Sequence, residues 1–115
     1  MRPVKRIDSR IARGSAELAI LSLLQESSLY GFEIAKRIEE KTEGALFFNL
    51  ASLYPMLYTL EKRGWIKGQW QSNATGRDRR YYSLTSAGKK KLVPLREEWE
   101  GFFRALHSIA GVDRA

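Results

Sequence analysis

Three observations in the sequence predict a mainly α chain with one β-hairpin. Apolar residues recur at helical spacing in "SAELAILSLLQE", "SLYGFEIAKRI" and "SLYPMLYTLEK". Two short β-prone runs, "WIKGQWQS" and "RRYYSL", flank the turn-forming "NATGRD". After Thr85 an apolar residue returns every three or four positions, a heptad stripe. The order helix, helix, helix, hairpin, long helix is that of a winged helix-turn-helix with a C-terminal dimerisation helix.

In chain order, residues 1–14 are expected to be a flexible basic arm. Ser15 can cap the first helix, whose Leu18, Ile20, Leu21 and Leu24 form an apolar stripe broad enough to be buried on more than one side. In the second, Tyr30, Ile34 and Ile38 share a face and Gly44 is placed to stop it. Leu53, Met56, Leu57 and Leu60 mark the inner face of the third. With Ser52 as its cap, Pro55 falls in the first turn, where a missing N–H costs nothing. Gly64 ends it. The hairpin is expected to place Ile66 with Trp70, and Tyr82 with Leu84, on shared faces. Thr85 can cap the last helix, in which Leu92, Leu95, Trp99, Phe102, Leu106 and Ile109 follow 3, 4, 3, 4, 3 spacing. Pro94 inside it should kink the helix or break its ladder near Lys90. The expected units are thus the arm, a winged helix-turn-helix over 15–84, and a dimerisation helix over 85–115.

Charge is segregated. The net of +7 divides into +4 over residues 1–15, −3 over 16–48, +7 over 49–91 and −1 over 92–115. A polyanionic partner is therefore expected at the arm and the middle segment. No apolar run reaches the length of a membrane span, and the arm has no apolar core of a secretory signal, so a cytoplasmic protein without a membrane partner is expected. Without a signal, the "NAT" sequon at Asn73 reads as a loop. With no cysteine and one histidine, His107, metal and cofactor binding are not expected. No nucleophile–base pair, carboxylate pair or phosphate-cradling loop can be assembled, so no catalytic residue is expected.

The outer face of the third helix is Ser52, Tyr54, Pro55, Tyr58, Thr59, Lys62 and Arg63. Such a face suits a DNA major groove: the cations meet phosphates, and the hydroxyls donate to phosphates or base edges. Arg77, Arg79 and Arg80 lie at the hairpin's tip, where they can follow the backbone or enter the minor groove, with Asp78 weakening their field. The competing reading is structural, with Tyr54 and Tyr58 covering the hairpin and Lys62 and Arg63 merely solvated. Two other classes stay open: a winged helix used for protein–protein contact, and an RNA-binding winged helix.

The runs "ILSLLQESSLYGFEIAKRI", "SLYPMLYTLEKRGWI", "GRDRRYYSLTSAGKKKL" and "EEW" together resemble the PadR family of bacterial transcriptional regulators, over Ala16 to Trp99. Ala51 stands where that family usually has glycine before "SLYP" or "TLYP", and Asp78 interrupts a wing that is usually more evenly basic. The resemblance implies a repressor binding an inverted-repeat operator as a homodimer built by the first and last helices. Leu18, Leu21 and the heptad residues would then form the interface. It further implies a small aromatic ligand held at that interface by tryptophans of the last helix, Trp99 here. The alternative is that Trp99 simply fills the interface.

Overall fold

The structure, a computed structural model, describes residues 6–72 and 75–112. Arg2, Lys5 and the sequon residue Asn73 therefore lie outside the described residues. Four helices and three strands follow in order: α1 (Ser9–Glu26), β1 (Leu29–Tyr30), α2 (Gly31–Lys41), α3 (Leu50–Lys62), β2 (Ile66–Ser72), β3 (Asp78–Leu84) and α4 (Ser86–Ala110).

Helix α1 begins at Ser9 rather than after Ser15. Asp8 is the effective cap: its carboxylate accepts the Arg10 N–H at 2.9 Å, and Arg10 holds that carboxyl below the usual range. Ser15 instead sits inside the helix and donates to the Ala12 carbonyl at 2.8 Å. Residues 9–14 are thus helical, not flexible arm, with Ala12 and Ala16 buried in register with Ile20 and Leu24. Residues just before the helix are also fastened. The Ile7 N–H donates to the Ala45 carbonyl at 2.8 Å, and Arg6 pairs with Glu39 at 3.1 Å while lying over the Phe47 ring.

Helix α2 ends at Lys41, and the chain turns through Glu43 and Gly44, both at positive φ. In α3, Asn49 and not Ser52 is the cap, its side chain accepting the Ser52 N–H at 2.8 Å. Pro55 therefore lies in the helix interior, and the Ala51 carbonyl loses its donor. Ala51 is exposed, so water can replace that donor. Gly64 ends α3 as expected. Its N–H and that of Trp65 return to the Glu61 and Leu60 carbonyls, a closure that needs the φ of 81° only glycine adopts without strain.

The hairpin pairs β2 with β3 from Ile66↔Leu84 to Ser72↔Asp78, and the short β1 adds to β3, giving the order β1-β3-β2. Ile66 and Tyr82 are buried, whereas Trp70, on the same face, lies beyond the core and is 67% exposed. Burial holds the Tyr82 phenol above its ordinary pKa, so it is neutral at physiological pH. Thr85 caps α4 by accepting the Gly88 N–H at 3.0 Å. Helix α4 runs through Pro94, which is exposed, as one element to Gly111. The fully buried core is Ile20, Leu21, Leu29, Ile34, Leu53, Leu57, Ile66 and Leu92, contributed by the four helices, β1 and β2.

Candidate nucleic-acid interface

Packing divides the two faces of α3. Leu53, Leu57 and Leu60 are at most 3% exposed, and Met56 packs half-buried against them. On the other face Tyr54, Pro55, Tyr58, Thr59, Lys62 and Arg63 are exposed and Ser52 half-buried. Several of these are less available than the sequence suggests. The Ser52 N–H is taken by Asn49, so it is not a free donor at the helix start. Thr59 donates its hydroxyl to the Pro55 carbonyl at 3.0 Å, leaving an acceptor facing outward. Arg63 pairs with Glu17 of α1 at 3.5 Å and lies over Trp65. Tyr58, 59% exposed, and Lys62 remain the most open groups of the face.

Strand alternation divides the wing arginines. Arg80 shares a face with Tyr82 and Leu84 and turns toward α3. Its Nη2 donates to Glu61 Oε2 at 2.6 Å, and the same oxygen accepts the Gly68 N–H at 3.2 Å. The guanidinium occupies the place a Cβ would take on Gly68. Arg80 thus ties the wing to α3, a structural role the sequence reading did not foresee. Arg79 turns the other way and stacks over Tyr30 at 4.5 Å. Arg77 is exposed at the tip.

With both side chains about a third exposed, Glu61→Gln is expected to lower stability by about 1–2 kcal/mol. It should also speed hydrogen exchange at the Gly68 amide. Unchanged exchange there would mean that the wing is held by other contacts.

Between the wing and the helices lies an open groove of about 670 Å³, with Tyr30, Phe32, Tyr54, Trp70 and Arg79 on its walls. Tyr54 of α3 and the wing residues Arg77, Asp78 and Arg79 thus line one groove together.

Helix α4 is apolar in two different senses. Leu92 and Leu95, 0% and 6% exposed, are sealed in the protomer's own core, as is Leu21. Leu18 is half-buried against that core. The expectation that all of the stripe faces a second chain is corrected here, because its first two positions meet the core of their own protomer. Further along, Trp99 and Leu106 are half-buried, while Phe102 is 50% and Ile109 87% exposed. Trp99 meets Phe102 edge-on, ring centroids 5.5 Å apart, and Phe103 at 5.9 Å.

Among the described residues no group of His, Asp or Glu side chains could hold a metal ion, and no helix is long and apolar enough to cross a membrane.

Comparison with known proteins places these features in a family. Residues 20–93 match the model of the transcriptional regulator PadR-like family. A transcriptional regulator from Clostridium thermocellum is 34% identical and superposes with a TM-score of 0.81, over 88% of this chain and 98% of that one. A PadR family transcription regulator from Clostridium difficile is 28% identical, with a TM-score of 0.71 over 82% and 96%. A protein of Lysinibacillus sphaericus is 36% identical over 93 residues, 81% of this chain and 85% of that one.

Proposed function

The chain belongs to the PadR-like family of transcriptional regulators, and from that premise we propose that it represses transcription by binding an inverted-repeat operator as a homodimer. The observation that carries this reading is the two-sided α3: a buried leucine face, and an exposed face of Tyr54, Tyr58, Thr59 and Lys62 beside a basic wing. That outer face enters the major groove, with Lys62 on phosphate and Tyr58 and Thr59 toward base edges. Arg77 and Arg79 hold the flanking backbone. The dimer forms through the second half of α4, where Phe102, Phe103 and Ile109 stay 50%, 36% and 87% exposed among the described residues of the protomer. Its two-fold axis sets the two α3 helices one DNA turn, ~34 Å, apart. Trp99, already packed on Phe102 and Phe103, fills this seam. That packing favours an interface-filling role over a wall for an aromatic ligand.

Fluorescence anisotropy with a duplex from upstream of the protein's own gene, against a random duplex, tests the reading. Selective binding with a log–log salt slope near −7, for roughly four phosphates per protomer, is the expected result. Weak binding, equal for both duplexes at low salt, would favour a protein-contact role. Arg79→Ala should weaken binding to both duplexes alike and flatten the slope by about 2, one phosphate per protomer. An unchanged slope would remove Arg79 from the contact set.

A further inference from the structure

The groove beside the wing offers a chemistry that reading a duplex does not require. Its volume of about 670 Å³ is several times the ~150 Å³ that accommodates one benzene ring. It lies within the ~300–1,000 Å³ of small-molecule sites. Exposed rings reach it from three elements: Phe32 of α2, Tyr54 of α3 and Trp70 of β2. Its floor is built for close approach. A Cβ on Gly31 would stand 2.8 Å from the Tyr54 ring and hydroxyl, so that tyrosine rests on bare backbone at the start of α2.

One cation is held ready beside these rings. The Arg79 guanidinium lies over Tyr30 and enters none of the ion pairs formed among the described residues. Stacking fixes its plane and leaves its N–H edges for an anion. The other charged residues lining the groove, Arg77, Asp78 and Arg80, each have a partner. Arg80 is bound by Glu61, and Asp78 accepts the Ser72 hydroxyl at 2.6 Å across the hairpin.

We propose that this groove is a nucleotide site, taking one unstacked nucleotide with its base against Trp70 and Tyr54 and its phosphate on Arg79. Rings accept any base by its π-face, and a planar guanidinium suits a phosphate, so the two together select a nucleotide over a simple aromatic compound. The nucleotide can be free or belong to an unpaired strand. Because Tyr54 and Arg79 both line the groove and belong to the duplex-contacting set, its occupant excludes duplex from them, a consequence that rests on the DNA reading above.

The test uses full-length protein carrying Trp65→Phe and Trp99→Phe, so that Trp70 is the sole indole. It is titrated at fixed ionic strength with AMP, with adenosine and with a short oligothymidylate. Saturable quenching by AMP, at least tenfold tighter than by adenosine and reduced to the adenosine level by Arg79→Gln, is expected. Tighter binding of the oligonucleotide than of AMP assigns the site to a strand, and the reverse assigns it to a free nucleotide. Quenching by none of the three, or equal affinity for AMP and adenosine, overturns the proposal without reference to DNA. The AMP–adenosine comparison holds even if Arg79→Gln fails to fold. Saturating random duplex should weaken AMP binding at least tenfold. Unchanged AMP affinity on protein shown by anisotropy to be duplex-bound overturns the exclusion, and failure of the unsubstituted protein to bind duplex at all counts against the DNA reading alone.

Discussion

Charging the exposed apolar face of α4, with Phe102→Asp and Ile109→Asp together, is expected to split the proposed dimer and to lower affinity for an inverted-repeat duplex at least a hundredfold. The first effect follows from burying two carboxylates in an apolar contact, which no pairing offsets. The second follows from losing simultaneous engagement of two half-sites, a linkage that contributes ~10²–10⁴ in apparent affinity. Both residues are at least half exposed in the protomer, so its own melting temperature should hardly move. Sedimentation velocity beside anisotropy separates the outcomes. A variant that remains dimeric would place the interface elsewhere. A monomer with undiminished affinity would mean that one protomer reads the whole site.

Gly88→Ala should damage the fold itself, by about 3 kcal/mol. Gly88 is buried in the first turn of α4, and a Cβ there would collide with the Trp65 carbonyl oxygen and lie 2.7 Å from Leu84 Cδ1. The backbone neighbour cannot easily yield. The Trp65 carbonyl also accepts the Thr85 N–H at 3.1 Å, and Leu84 is the last residue of β3. Alanine normally favours a helix interior, so propensity and packing predict opposite signs, and packing against backbone is the larger effect. Chemical denaturation measures it. A neutral or stabilising result would show that α4 can slide outward without loss, and hence that its docking on the α3–β2 turn is loose.

The sequence made the framework readable where one residue type answers one local need. Gly64 closes α3, Thr85 caps α4, and the hairpin follows from two β-prone runs about a turn. It misled where two rules competed. Asp8 was hidden as a cap because it stands among arginines that read as an arm, although a carboxylate is among the best N-caps. Proline avoidance favoured Ser52 over Asn49, yet an exposed carbonyl makes the lost bond tolerable. A two-residue β1 is too short for any periodic signal. The heptad stripe read as a seam with a second chain, yet Leu92 and Leu95 meet their own core while Phe102 and Ile109 are exposed in the protomer, because a stripe cannot say what covers each position. For the wing, the period of two already placed Arg80 with Tyr82 and Leu84. Only the missing partner, Glu61 nineteen residues upstream, kept its inward role from view.

The joint at Trp65 and Thr85 also acts as a gauge. There the turn after α3 meets the first residues of α4, with the Thr85 hydroxyl donating to the Gly64 carbonyl at 2.6 Å and its N–H to the Trp65 carbonyl. Helix α4 leaves this joint as a rod of 25 residues, about 37 Å long at 1.5 Å per residue. A tilt of about 10° at the joint would carry its far end roughly 6 Å sideways, by the geometry of a rod that long. If two such rods meet in the dimer, the distance between paired reading heads is calibrated by a few backbone bonds at the hinge end. Substitutions at Gly64, Thr85 or Gly88 would then retune the half-site spacing the protein prefers while leaving every base-facing side chain unchanged.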